Sequence, residues 1–159
     1  MRTDRGGLAA AVLVAWLGAG AAEAAPAWAT TPAFQVAVSL SPKAAARLAH
    51  PHETIIVAAY VYGDANDRGQ RLADEVGQID FGREQKVELP GPGVARFQGV
   101  RYDTKRLVYV DGKLQVLVNV YSGRRSSPDN LLDCSIFQDS VELAGRAVIP
   151  IRCKLIGEP

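Results

Sequence analysis

The residues best suited to metal chemistry lie in one short segment, His50-Pro51-His52-Glu53. Imidazole nitrogens and a carboxylate are ligands that Zn²⁺ and Cu²⁺ accept in proteins. The chain has only two histidines, so a complete site needs a further carboxylate such as Asp64 from elsewhere. Pro51 places the segment in a turn, and a solvated turn is the simpler interpretation. His50, His52 and Glu53 are therefore candidate metal ligands, and both interpretations stay open.

A second acidic segment begins at Asp64 and resembles the calcium-binding loop of EF-hand proteins. Asp64, Asn66, Gly69 and Glu75 stand at the first, third, sixth and twelfth positions of such a loop. Arg68 stands at the fifth position, where an oxygen ligand belongs, and the preceding segment has the pattern of a strand. We therefore expect a polar turn here rather than a calcium site.

The third candidate is the polar loop 123–130, with the sequence GRRSSPDN. Its Arg124, Arg125, Ser126 and Asn130 carry the hydrogen-bond donors that hold an anion such as phosphate, sulfate or a carboxylate. Loops at the ends of a rigid β-fold are common places for recognition. These four residues are the predicted binding residues, and a solvated loop is the alternative.

The composition argues against several classes of function. Motifs for nucleophilic catalysis and for phosphate binding before a helix are missing, and the two histidines in one turn leave little choice of general base. Lys and Arg number 18 against 17 Asp and Glu, which is unlike a nucleic-acid-binding protein. Two cysteines, two histidines and one methionine are too few for all-cysteine iron–sulfur clusters and for Cys₄ or Cys₃His zinc sites within one chain. We predict a protein that is not an enzyme, uses no cofactor and binds no nucleic acid.

Residues 1–24 have the pattern of a cleaved secretory signal peptide. Arg2 and Arg5 precede the apolar run 8–17, and an Ala-Glu-Ala sequence ending at residue 24 fits the cleavage site. The apolar run is about half the ~20 residues that a membrane-spanning helix needs. We therefore expect a periplasmic or secreted protein with no transmembrane anchor after cleavage.

In the segments that position these candidate residues, apolar side chains recur mainly at every second residue, as in β-strands. Residues 25–32 lack a period and are expected to form a flexible lead, whereas residues 33–159 form one domain. Short strand-like segments separated by Gly and Pro turns indicate an all-β fold, an antiparallel β-sandwich of immunoglobulin-like or transthyretin-like size. We expect seven or eight strands and one short helix. The strand-like segments are 33–41, 53–62, 78–81, 85–89, 94–98, 107–110, 114–121, 131–137 and 147–156.

Two local signals give more detail. Ser41 followed by Pro42 is typical of a helix start and predicts a short helix over residues 43–49. Asp111-Gly112 lies between two apolar segments and predicts a β-hairpin, because both turn positions of such a hairpin require positive φ.

Cys134 and Cys153 are the only cysteines in the chain. Export places them in an oxidising compartment, where a pair of this kind forms a disulfide. The alternative is a redox pair, but such pairs favour a Cys-x-x-Cys spacing, which this chain lacks. We expect a structural disulfide that joins the last strand to the core.

Residues 38–63 (VSLSPKAAARLAHPHETIIVAAYVYG) and 118–123 (VNVYSG) resemble the periplasmic β-domain of cytochrome c biogenesis proteins. The shared features are a strand, a helical turn led by Ser-Pro, a buried strand and a later strand that ends in Ser-Gly. The resemblance covers about a quarter of the mature chain and implies a β-sandwich that binds another exported polypeptide. It assigns no functional residue.

These patterns favour a non-enzymatic binding or structural accessory module for another exported protein or peptide. An exposed edge strand is one way to accept a peptide, with the two arginines of the 123–130 loop attracting acidic groups. One alternative is a metal-binding protein or metal-dependent hydrolase that uses the 50–53 turn. Another alternative is a secreted enzyme inhibitor whose reactive part is the 123–130 loop.

Overall fold

The structure, a computed structural model, describes residues 27–49 and 52–159. The predicted signal peptide over residues 1–24 lies outside the described residues, and so do His50 and Pro51. Among the described residues, no helix is long and apolar enough to cross a membrane.

The described residues are mostly strand, which confirms the all-β prediction. Eleven strands exceed the expected seven or eight because several have only three or four residues, and a second helix joins the one expected. The strands are β1 (Trp28–Thr30), β2 (Phe34–Leu40), β3 (Ile55–Ala65), β4 (Gln78–Asp80), β5 (Gln85–Leu89), β6 (Gly93–Phe97), β7 (Arg101–Asp103), β8 (Val110–Ser122), β9 (Leu132–Cys134), β10 (Phe137–Ser140) and β11 (Ile149–Leu155). The helices are α1 (Pro42–Ala49) and α2 (Val141–Ala144), with 3₁₀ turns at Gln70–Leu72 and Thr104–Tyr109.

Two sheets form the sandwich. The first, which we call the β11 sheet, has the order β6-β2-β11-β9, and its β2–β11 pair is parallel. The second, the β8 sheet, has the order β10-β8-β3, with β4 and β5 both pairing with the far side of β3. A small third sheet joins β1 to β7.

The core lies between the two main sheets because apolar side chains alternate along their central strands. Each of β2, β3, β8 and β11 contributes every second residue to one continuous buried cluster. The central members are Val36, Val38, Val57, Ala59, Val61, Val116, Val118, Val120, Ile149 and Ile151. This confirms the period of two that the sequence predicts.

Both sides of the sandwich are crossed by chain segments that pass from one sheet to the other. β5 belongs to the β8 sheet, and β6, which follows after a Pro-Gly-Pro turn, belongs to the β11 sheet. On the other side β9 belongs to the β11 sheet and β10 to the β8 sheet. The outermost strands of the two sheets are therefore only three to five residues long, so none offers a long edge for an added peptide strand.

The predicted disulfide is confirmed. Cys134 of β9 and Cys153 of β11 are directly opposite in register and are bonded, with their Cα atoms 4.0 Å apart. The predicted helix is also confirmed, since Ser41 Oγ accepts a hydrogen bond from the Ala44 amide at 3.1 Å. The Ser41 amide donates to the Cys153 carbonyl at 2.8 Å, so the helix start is tied to the last strand.

The predicted hairpin at Asp111-Gly112 is wrong. The segment before it forms a 3₁₀ turn rather than a strand, started by an Asp103 carboxylate that accepts the Lys105 amide at 2.9 Å. Gly112 lies inside β8, where one residue of β3, Gly63, faces the three residues 112–114 of β8. The positive φ of Gly112, 70°, therefore serves a β-bulge instead of a turn.

The flexible lead predicted over residues 25–32 is wrong for its last residues. Strand β1 pairs with β7, and the Thr31 amide then donates to the Val100 carbonyl at 3.0 Å. The Val100 amide donates in return to Thr31 Oγ1 at 2.9 Å. This pairing uses backbone groups and one hydroxyl, so a hydrophobic period does not reveal it.

Candidate binding site at the Glu53 end of the sandwich

Glu53 is the centre of the polar contacts at one end of the sandwich. It lies between α1 and β3, and its amide donates to the Leu48 carbonyl at 2.9 Å, which continues the end of the helix. Only 2% of the residue is exposed. A buried carboxylate is costly unless hydrogen-bond donors surround it, so its partners decide its role.

The donors come from Thr54 and from the 123–130 loop. Glu53 Oε1 accepts the amides of Thr54 at 3.0 Å and Arg125 at 2.8 Å. Oε2 accepts both the amide and the hydroxyl of Ser126, each at 2.7 Å. Burial alone would raise the pKa of Glu53, but these four hydrogen bonds stabilise the charged form and lower the pKa from 4.5 to about 2.

Two more contacts fasten the start of the same loop. The Gly123 amide donates to the Thr54 carbonyl at 2.7 Å. The Arg125 guanidinium binds Glu88 Oε1 of β5 through Nη2 at 2.7 Å and Nε at 3.2 Å. The hydrogen bonds from the Arg125 guanidinium lower the pKa of Glu88. The loop is thus held to β3 and to β5.

Asn130 fastens the other end of the loop. Its side-chain oxygen accepts the Ser122 amide at 2.9 Å and the Leu132 amide at 3.1 Å. Its side-chain nitrogen donates to the Leu132 carbonyl at 2.8 Å, and Ser122 Oγ accepts the Leu131 amide at 2.9 Å. Asn130 therefore joins the end of β8 to the start of β9.

The structure brings Glu53 together with the predicted binding loop, a contact that the sequence does not predict. Of the four predicted binding residues, Arg125, Ser126 and Asn130 make the internal contacts described above. Arg124 is exposed, with a φ of 58°, and makes no hydrogen bond or ion pair to the described residues. It is the one predicted binding residue whose side chain is free to meet a ligand.

The metal hypothesis for the 50–53 turn stays a prediction, because His50 is outside the described residues. His52 is exposed and has a φ of 60°. Both carboxylate oxygens of Glu53 are already engaged, so a metal would have to displace amide donors from them. In the described part of the chain, no group of three His, Cys, Asp or Glu side chains is arranged to hold a metal ion.

The Asp64 segment forms polar turns, as expected. Asn66 Oδ1 accepts the amides of Arg68 at 3.0 Å and Gly69 at 3.1 Å. Asp74 Oδ1 accepts the amides of Val76 at 3.0 Å and Gln78 at 2.9 Å. These oxygens stabilise the loop itself.

Arg124 lines a depression of about 570 Å³ on the outer face of the β8 sheet. The Lys86 ammonium lies 6.0 Å from the centre of the Tyr121 ring there and bonds Glu84 at 2.8 Å. We call this surface the Arg124 depression; its lining residues are Lys86, Asn119, Tyr121, Ser122, Gly123, Arg124 and Asn130. Lys86 and Arg124 give the lining two positive charges, and the lining includes no carboxylate.

Sequence reasoning missed Lys86, Asn119 and Tyr121 as members of this site. The alternating pattern predicts that they point outward, but only the strand register makes them neighbours. Ala58 of β3 is paired with Lys86 on one side and with Asn119 on the other, so a single methyl group separates them.

Comparison of the chain with protein-family models, with curated proteins and with solved structures found no match. The resemblance of residues 38–63 to cytochrome c biogenesis proteins therefore stays a prediction.

Proposed function

We propose that this protein is an exported, non-enzymatic binding module that holds an acidic group of another exported protein or peptide in the Arg124 depression. The signal-peptide pattern of residues 1–24 supports export, and the disulfide between Cys134 and Cys153 is compatible with it. We favour binding on the outer face of the β8 sheet over pairing of a partner peptide with a sheet edge, because the outermost strands are short.

The observation that carries the proposal is that Arg124 is exposed, has a positive φ and makes no hydrogen bond or ion pair to the described residues. A non-glycine residue at positive φ is strained, and such strain persists where surrounding contacts enforce it and is frequent at binding sites. Here the next two residues are fixed by Glu53, so the loop presents the Arg124 guanidinium instead of folding it inward. A guanidinium beside Lys86 and the exposed Asn119 amide suits a carboxylate.

Site-specific photo-cross-linking tests the proposal in the exporting cell. A photoreactive residue at Asn119 is expected to cross-link one exported protein, and Arg124→Gln is expected to abolish that product. The matched control is the same photoreactive residue at Gln35, which is exposed on the β11 sheet. Identical products from positions 119 and 35, or a product that survives Arg124→Gln, would contradict the proposal.

The competing metal hypothesis has its own measurement. A metal at a hundred times its Kd stabilises a folded protein by about 2.7 kcal/mol, which is several degrees for a domain of this size. We expect the thermal midpoint to be unchanged by a chelator and by added zinc or calcium. A chelator-dependent fall that zinc restores, and that His52→Ala removes, would favour the metal-dependent alternative.

A further inference from the structure

We propose that the Arg124 depression is one half of a longer site for a single acidic peptide, and that the other half is the pocket around Trp28 and Arg101. This inference rests on the proposed function and adds the chemistry of the partner. The partner segment is short and extended, with carboxylates on both sides of one large apolar side chain.

The Trp28 pocket has the composition of a binding surface. Trp28 is 47% exposed, although it lies in a paired strand, and the Arg101 guanidinium lies 4.6 Å from the centre of its ring. Exposed Trp and Arg are the residue types most enriched among those that dominate binding energy at interfaces. The pocket has a volume of about 340 Å³ and is lined by Trp28, Gly82, Arg83, Glu84, Gln85 and Arg101.

The two depressions adjoin at one ion pair. Glu84 lines the Trp28 pocket, Lys86 lines the Arg124 depression, and Lys86 Nζ lies 2.8 Å from Glu84 Oε2. Alternate residues of an extended chain are about 7 Å apart, so this pair marks a narrow boundary. A short extended peptide that crosses the ion pair therefore contacts both depressions.

The charge of the combined surface selects an acidic partner. Its lining contains four cationic side chains and one carboxylate, a balance of +3, whereas the whole chain has a balance of +1. The single carboxylate, Glu84, is already paired with Lys86. The excess is thus local to this surface, and it favours carboxylates by charge complementarity. The four cations are Arg83, Lys86, Arg101 and Arg124.

Trp28 provides a specific signal for the test. The chain has two tryptophans, and Trp16 lies in the predicted signal peptide, so the exported protein is expected to keep Trp28 as its only one. We would titrate the exported protein with the acetylated, amidated pentapeptide EEFEE and record tryptophan emission. We expect a saturable change, absent with QQFQQ and weaker with EEAEE. Arg101→Gln and Arg124→Gln should each raise Kd about tenfold, which corresponds to about 1.4 kcal/mol.

The control variant is Arg152→Gln, an exposed cation of the β11 sheet, which should leave Kd unchanged. Equal responses to EEFEE and QQFQQ, or no change in emission up to millimolar peptide, would overturn the inference. Sensitivity to Arg124→Gln but not to Arg101→Gln would also overturn it, while leaving the proposed function standing. The proposed function itself fails instead if the protein with Arg124 intact gives no specific Asn119 cross-link, or if that cross-link survives Arg124→Gln.

Discussion

Two loops at opposite ends of β3 are each held by an acidic side chain, but in different ways. At one end the buried Glu53 accepts donors from Arg125 and Ser126, more than seventy positions away in the chain. At the other end Asp74 is exposed and accepts amides only two and four residues ahead. The first carboxylate joins distant parts of the fold, whereas the second only shapes its own turn.

The backbone differs in the same way. The two described non-glycine residues with positive φ, His52 and Arg124, directly precede Glu53 and its partner Arg125. Towards the other end, positive φ belongs to Gly77 and Gly112, where it is not strained. Strong tertiary hydrogen bonds can therefore hold strained residues in place at the Glu53 end. One of these strained residues, Arg124, is also exposed and makes no hydrogen bond to the described residues.

Glu53→Gln is expected to have the largest effect on stability. Glutamine keeps the size of the side chain but loses the charge and turns an NH₂ group toward amide or hydroxyl donors. Hydrogen bonds to a buried charge contribute more than neutral ones, so we expect a loss of about 3 kcal/mol in the free energy of unfolding. Urea denaturation measures it. Asp74→Asn, the matched change at the exposed end, should cost under about 1 kcal/mol, and equal losses would remove the distinction between the two ends.

The ionised Glu53 carboxylate should also make the free energy of unfolding depend on pH, with stability lost at low pH. Its folded pKa, about 2, lies below its ordinary value of 4.5, so its contribution is complete above pH 4.5 and is lost as pH falls toward 2. The full loss is about 3 kcal/mol. Unfolding free energies of the native chain and of Glu53→Gln should converge over this range. A constant difference between pH 6 and pH 2.5 would contradict the assignment.

The opposite end depends on steric fit rather than on charge. A Cβ at Gly69 would lie 2.1 Å from the backbone carbonyl oxygen of Tyr109, which cannot move without displacing the 3₁₀ turn. A Cβ at Gly123 would lie 1.9 Å from Thr54 Oγ1, which rotation about χ1 can move, and 3.1 Å from Thr54 Cβ, which must shift by a few tenths of an ångström. We expect Gly69→Ala to cost about 2 kcal/mol and Gly123→Ala about 1 kcal/mol. Thermal unfolding of both variants checks the order, and the reverse order would refute this account.

Local patterns predicted much of this architecture. The alternation in β2 and β3, the Ser41 helix start and the Cys134–Cys153 disulfide each depend on neighbouring residues or on a single possible pair. The Asp111-Gly112 prediction failed because the same positive φ serves a bulge as well as a hairpin.

The candidate site was harder to predict because its members meet only through tertiary structure. Glu53 and the 123–130 loop were recognised separately, each for a chemistry that needs free side chains. In the structure, Glu53 accepts hydrogen bonds from Arg125 and Ser126, so these residues are engaged with one another and the side chain of Arg124 stays free for a ligand. Lys86 and Asn119 join it through strand register, which no single segment encodes.

Arg124→Gly should have the smallest effect on stability and separates stability from binding at the Glu53 end. Glycine relieves the strain of a left-handed residue, about 1 kcal/mol or more, but adds freedom to the unfolded chain. We expect a net gain of about 0.5 kcal/mol in urea denaturation, together with loss of the Asn119 cross-link. A destabilised variant would mean that the Arg124 side chain supports the fold. Arg124→Gln, which keeps the strain but not the charge, should lose binding without that gain.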